Sequence, residues 1–203
     1  MRRFDFPEGA TPLADYSGLK LSWIQFLSDL NRAEAENIFA AQKRYLHGNV
    51  SSPERWFNPG ELKKIHRAMF HKVWQWAGSY RTVSTNIGIR PHRIPVELAL
   101  FSAEVRSWSE RSYGLTILDR SARIHHRLVS IHPFENGNGR FSRLVADRYL
   151  KAYHHPFPIW PSLENEGDIR LNYIQSLKCA DSGDYGPLLQ LMNQFLATYS
   201  LND

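Results

Sequence analysis

The residues best suited to chemistry lie in one twelve-residue stretch, His132-Pro133-Phe134-Glu135-Asn136-Gly137-Asn138-Gly139-Arg140-Phe141-Ser142-Arg143. Two glycines flanking an asparagine ahead of a helix let the backbone curl into a concave run of N–H groups, which binds anions. A helix starting at about Gly139 adds its partial positive end, and Arg140 and Arg143, three apart, project from one face of its first turn. Backbone nest, helix end and two permanently charged forks suit an oligophosphate better than a single carboxylate, and a nucleotide is the economical ligand. His132 stands just ahead, before a proline that biases it toward an extended backbone. Its ordinary pKa lets it take a proton from an incoming hydroxyl at neutral pH. Phe134 anchors the loop by burying its ring, and Glu135 or Asn136 offers oxygen to a magnesium ion bridging phosphates.

Helical spacing dominates the elements that must position this stretch. From about Leu19 to Tyr45, Trp23, Phe26, Leu27, Leu30, Ala33, Ile38 and Ala41 recur at three or four, predicting one long helix. Asn58 and Pro59 begin a second through Leu62, Ile65, Met69, Val73 and Trp74, which Gly78 stops. Between Tyr80 and Ile94 the β-branched residues Thr82, Val83, Thr85, Ile87 and Ile89, broken by Asn86, Gly88 and Pro91, predict a short hairpin. Helix resumes at Pro95, again at Asp119, which caps a segment through Ile131, and from Arg140 to about Ala152. The prolines at 156, 158 and 161 impose a loop, and amphipathic segments follow from Asp168 to Ala180 and from Pro187 to Tyr199. The fold class expected is mainly α: a helical bundle with one short hairpin near the site. Residues 1–50 form an irregular segment and a long helix packed on the core, and residues 51–203 the main domain.

At 203 residues, 42% hydrophobic and 22% charged, the chain can bury a proper core. A single cysteine, Cys179, excludes an internal disulfide and a thiolate zinc site. No apolar run reaches a membrane span and the opening residues lack a secretory apolar stretch, so the expectation is a cytoplasmic protein with no membrane contact. A net charge of +5 favours an anionic partner mildly, too weakly to name nucleic acid, which is not expected to bind directly.

The central stretch resembles the signature of the Fic (filamentation induced by cAMP) family, H-P-F-x-[D/E]-G-N-G-R-x-x-R, matched by His132-Pro133-Phe134, Gly137-Asn138-Gly139-Arg140 and Arg143. Trp74-Gln75-Trp76-Ala77-Gly78-Ser79-Tyr80-Arg81 is similar to the family's W-A-G-x-Y-R segment, and Asn172 to Ala180 to its later helix. The opening Pro7-Glu8-Gly9-Ala10-Thr11-Pro12-Leu13 resembles a bacterial subgroup called mobile mystery protein B, thought to accompany a small helix-turn-helix partner. The resemblance implies a Fic-like bundle and transfer of AMP from ATP, with Mg2+, to a Ser, Thr or Tyr hydroxyl of a target protein, in the manner of a toxin kept in check by a small antitoxin protein. In that reading His132 is the base, while Asn136, Gly137, Asn138, Gly139, Arg140 and Arg143 bind the nucleotide phosphates. Asn136 and Glu135 hold the metal. The hairpin is a flap whose Thr85, Asn86, Ile87, Gly88 and Ile89 dock the target by strand addition, and Tyr173, with Gln175 beside it, contacts adenine.

Asn136 stands where the family carries Asp or Glu, so phosphorylation or transfer of another nucleotide-derived group is the alternative within the resemblance. Family members also carry an inhibitory [S/T]-x-x-x-E-[G/N] helix; Glu36-Asn37 occupies the expected place, although Arg32 replaces the Ser or Thr. Ser162-Leu163-Glu164-Asn165-Glu166-Gly167 satisfies the pattern in a loop, where Ser and Glu are routine caps. An alternative of another class is a HEPN-like ribonuclease toxin using Arg127 and His132, whose R-x4-H spacing leaves Gly137 to Arg143 unexplained. Zinc binding by His125, His126 and His132, or by His154 and His155, lacks a helical ligand pattern.

Overall fold

A computed structural model describes residues 16–108, 114–161 and 167–196. Eight α-helices follow in order among them: α1 (Leu27–Leu46), α2 (Pro53–Trp56), α3 (Pro59–Phe70), α4 (Ile94–Ser107), α5 (Ile117–Ile131), α6 (Asn138–Ala152), α7 (Gly167–Asp181) and α8 (Gly186–Gln194). A 3-10 turn at Pro91–Arg93 leads into α4. The mainly helical fold predicted from periodicity is the fold found.

Local chemistry starts these helices. Asn58 Oδ1 accepts the Glu61 N–H at 3.0 Å, with Pro59 in the first turn of α3. At α5 the cap is Thr116, three residues before the Asp119 expected there, and Asp119 completes a capping box by accepting the Thr116 N–H at 2.9 Å. The central pair is α5 and α6, joined by residues 132–137. Around it Leu62, Ile65, Met69, Phe70, Ile124, Leu128, Ile131, Phe141 and Val145 form one apolar cluster. Ile24, Leu30, Ala41 and Tyr45 belong to the same cluster, so α1 shares the core of the later helices.

Two elements differ from expectation for one reason. The first helix begins at Leu27, and α3 ends at Phe70, because residues 18–20 and 73–75 pair with each other. The Lys20 N–H donates to Val73 O at 2.9 Å, the Gln75 N–H to Gly18 O at 2.8 Å, and Leu19 bridges Trp74. Backbone groups spent across the chain cannot close helical turns, and Trp23 and Phe26, expected on the buried face, are exposed.

The segment from Tyr80 to Ile89 forms no hairpin. Its ends pair with the stretch after α5 instead: Tyr80 bridges Phe134, the Arg81 N–H donates to Pro133 O at 3.0 Å, and the Ile89 N–H to Ile131 O at 3.4 Å. The β-branched pattern records a strand-like docking onto a neighbour that periodicity cannot identify. Residues 7–13, the 162–166 part of the capping-like pattern and Tyr199 lie outside the described residues.

Candidate functional site

Phe134 is fully buried and fixes the loop between α5 and α6. Its ring lies against the His66 imidazole, centroids 3.7 Å apart at 11°, and meets Phe141 edge-on at 5.0 Å. His66 is a pin that sequence reasoning missed. Its Nδ1 accepts the Gly78 N–H and its Nε2–H donates to Asn136 O, each at 3.0 Å. Burial holds His66 neutral, its pKa pushed down to about 3. A signal was present in sequence, a histidine on the apolar face of α3 between Ile65 and Met69, but a single buried histidine is ordinary core.

Asn138 closes the loop from the other side. Its Oδ1 accepts the Phe134 N–H at 2.9 Å and one Nδ2–H donates to Phe134 O at 2.8 Å, which holds the amide on the loop backbone. Gly137 is the left-handed cap of α6, at φ 75, and a Cβ there would come within 2.4 Å of the Phe70 ring. Asn136 turns Oδ1 back onto the Gly137 N–H at 2.5 Å.

That geometry fits a protein-held magnesium poorly. The amide oxygen at 136 is neutral and already accepts a hydrogen bond, Glu135 is the one carboxylate of the loop, and no group of three His, Cys, Asp or Glu able to hold a metal exists among the described residues.

His132 is 4% exposed and caps α5 in the left-handed conformation, φ 51 and ψ 61, rather than the extended one expected before Pro133. The helix ends there, and the His132 N–H still bonds Leu128 O. His132 Nδ1 lies 3.3 Å from Val129 O, an acceptor, so Nδ1 carries the proton and Nε2 presents a lone pair. Burial, reinforced by the Arg81 charge, pushes its pKa down to about 4, and the ring is neutral at pH 7.

The two arginines of the loop's helix part company. Arg140 lies over the Phe70 ring at 5.2 Å and pairs with Glu34 of α1 at 2.7 Å; the other Glu34 oxygen accepts Trp74 Nε1–H at 2.6 Å. Arg143 sits 5.5 Å from both the Trp160 and Tyr173 rings. Tyr173, expected against adenine, is buried and shares a 2.9 Å hydrogen bond with His125 Nε2. Behind Arg143, burial pushes the Asp147 carboxyl up to about 8.

Glu36 is exposed on the outer side of α1, lining a surface cleft with Trp23, Arg32 and Lys72; the acid that reaches Arg140 is Glu34, two residues earlier and on the opposite side of the helix. Asn37 is buried, its amide atoms meeting no hydrogen-bond partner among the described residues. Of the expected docking residues, Thr85 Oγ1–H donates to Ile87 O, Ile87 is exposed, and Gly88 lies against His132. Arg127, the second residue of the ribonuclease reading, donates to Glu97 at 2.8 Å while His132 turns to Val129. His126 is likewise engaged, with Asp181 at 2.8 Å.

Arg81, which the sequence marks only as the end of the W-A-G-x-Y-R resemblance and without a role, is 3% exposed, and its guanidinium reaches the carbonyls of His132 (2.6 Å), Val83 (2.9 Å) and Ile89. Among the described residues no helix is long and apolar enough to cross a membrane.

A model of the Fic/DOC family matches residues 56–150. The protein adenylyltransferase Fic of Drosophila grimshawi is 33% identical over 135 residues, 65% of this chain. This chain spans about a quarter of that relative, 27% of its length. Among solved structures, the N-terminal FIC domain of Bep8 from Bartonella sp. 1-1C is similar at TM-score 0.67 and 19% identity, covering 89% of this chain and 91% of that one. BepC from Bartonella tribocorum, solved with bound AMPPNP, is similar at TM-score 0.61 and 19% identity, covering 95% of each chain.

Proposed function

Residues 56–150 make this chain a member of the Fic/DOC family, and on that premise we propose that it is a nucleotidyltransferase moving AMP from ATP to a Ser, Thr or Tyr hydroxyl of another protein. The observation that carries this reading is His132, held neutral by burial with its Nδ1–H on Val129 O, at the head of the loop that leads into α6. In the reaction the target oxygen forms a bond to the α-phosphorus, the bond to the bridging oxygen breaks, and pyrophosphate leaves with the electron pair. The hydroxyl proton passes to His132 Nε2. Such transfer asks the protein for in-line placement and charge stabilisation rather than covalent help.

The phosphates lie along the first-turn N–H groups of α6 after the left-handed Gly137, with the backbones of Asn136, Asn138 and Gly139 beside them. Arg140 and Arg143 supply positive charge from the same helix. The AMPPNP held by BepC supports ATP as donor. Of this chain's loop residues only the Glu135 carboxylate would be open to hold magnesium, whose chemistry would be to neutralise phosphate charge, since the Asn136 oxygen is engaged by the Gly137 N–H. The segment 85–89 is the surface for the target.

The same proposal places the protein in the cytoplasm as a toxin. Exposed Glu36 gives little support to inhibition by that residue, which favours a separate antitoxin protein as the inhibitor. The domain reading becomes a catalytic unit from residue 51 onward with α1 as part of its core.

Asn136 in the family's acidic position supports a second reading, transfer of phosphate or another nucleotide-derived group. One experiment separates the two: purified protein, lysate, and ATP labelled at either the α- or the γ-phosphate. Protein-bound α-label establishes AMP transfer; γ-label alone establishes a kinase and overturns the first reading.

A further inference from the structure

The buried guanidinium of Arg81 acts on four backbone carbonyls from two separate segments. Nε–H donates to His132 O at 2.6 Å, Nη1–H to Val83 O at 2.9 Å, and Nη2–H to Ile89 O, with Ile131 O at 3.5 Å. Only a planar fork with five donors can serve acceptors arrayed in this way, and lysine, a point charge, cannot. Val83 and Ile89 stand at the two ends of the loop that crosses the site; Ile131 and His132 are the last turn of α5 and its cap.

The loop touches His132 directly. Gly88, at φ 106, lies so close that a Cβ would come 2.6 Å from His132 Cβ and 2.7 Å from Arg81 Nη2. His132 itself keeps a left-handed backbone, which a residue with a side chain adopts only where its surroundings dictate it. The Arg81 bond to the His132 carbonyl is one such constraint, and the Leu128 carbonyl receiving the His132 N–H is another.

We propose that Arg81 is a positioning residue that locks the loop 83–89 and the His132 backbone into one unit, setting at once the direction of the imidazole and the surface on which the acceptor protein lies. This rests on the reading of His132 as the proton acceptor. Arg81 is not a catalytic residue, because it touches no reacting atom; it acts through carbonyls.

Arg81→Lys and Arg81→Gln in the full chain test this, with Gly88→Ala as a variant that disturbs the same unit while leaving the guanidinium in place. Arg81→Lys keeps the charge and loses the fork. The acceptor KM is expected to rise and kcat to fall, each by roughly tenfold or more, as for a misplaced reacting group, while ATP affinity by calorimetry changes less than about threefold. NMR titration of the His132 ring gives a readout that needs no turnover: its pKa rises in Arg81→Gln toward the ordinary histidine value, and Gly88→Ala moves it as well. Folded variants with unchanged His132 titration and unchanged acceptor KM overturn the proposal. An equal loss of ATP affinity and acceptor affinity, with the titration unmoved, overturns it too, by showing general loosening. Failure of the underlying reading looks different: transfer persists in His132→Ala although the ring still responds to Arg81.

Discussion

The Glu34 carboxylate lies 2.7 Å from the Arg140 guanidinium across the interface of α1 and α6, and it is nearly fully buried. One oxygen meets Arg140 and the other Trp74 Nε1–H, so both of its acceptor atoms are engaged. The pair ties the first helix to the first turn of α6.

Glu34→Ala therefore destabilises the fold by roughly 3–5 kcal/mol, the range for removing one partner of a buried ion pair. Chemical denaturation reads this. Glu36→Gly, on the exposed side of α1, costs about 0.5–1 kcal/mol, the penalty of a glycine inside a helix, and leaves ATP affinity by calorimetry unchanged. A marked gain in ATP affinity in Glu36→Gly would show that this side chain reaches the site after all.

Gly137→Ala meets two penalties, a positive φ and the Phe70 ring within 2.4 Å of the new methyl group. Each is of order 1–3 kcal/mol. The variant is expected to melt well below the parent and to lose nucleotide binding, because the turn that opens α6 cannot form around it. An unaltered melting temperature would mean that the turn relaxes freely.

Burial keeps the His132 ring neutral, and the bound triphosphate, an anion, favours the imidazolium. NMR of the free protein is accordingly expected to find an imidazole titrating near pH 4. Saturation with a non-hydrolysable ATP analogue raises that value. A free value at the ordinary 6.5 would show a solvated ring, and no response to nucleotide would place the phosphates elsewhere.

Asp147 gives a pH test of stability. Its carboxyl stays protonated in the fold up to about pH 8, whereas the unfolded chain sheds that proton near 3.8. Between those values the folded state binds more protons, so this group makes stability fall as pH rises. His66 and His125, each held neutral to about 3, act with the opposite sign: the unfolded chain gains their protons first as pH drops below about 6.5. Comparing Asp147→Asn with the parent isolates the acid. Its relative stability grows by about 1.4 kcal/mol per pH unit from pH 5 to 7, and a pH-independent difference would contradict the assignment.

The loop chemistry was legible because it is local: Gly137, the helix after it and the buried Phe134 follow from residue types over twelve positions. The helical class was legible from three-to-four spacing in α3, α5 and α6. What sequence could not reveal is pairing at a distance. The apolar spacing that begins at Leu19 fits a helix, yet the backbone groups of residues 18–20 go to residues 73–75. The loop 80–89 has strand-forming residues but spends its pairing on residues 131–134. Glu34, half a turn from Glu36, is the acid that meets Arg140, and the Trp74 Nε1–H bond that holds it there comes from a residue forty positions away. His66 carries no motif of its own, and the W-A-G-x-Y-R resemblance that ends at Arg81 gives that residue no role; each matters through carbonyls and rings that are distant in sequence.

The most direct measurement of the central claim follows α-labelled ATP into protein with the parent chain and His132→Ala side by side. The account predicts label on a target protein with the parent, a loss of at least about a hundredfold in His132→Ala, and unchanged nucleotide affinity in that variant. Equal labelling by both chains, or nucleotide bound by neither, would contradict it.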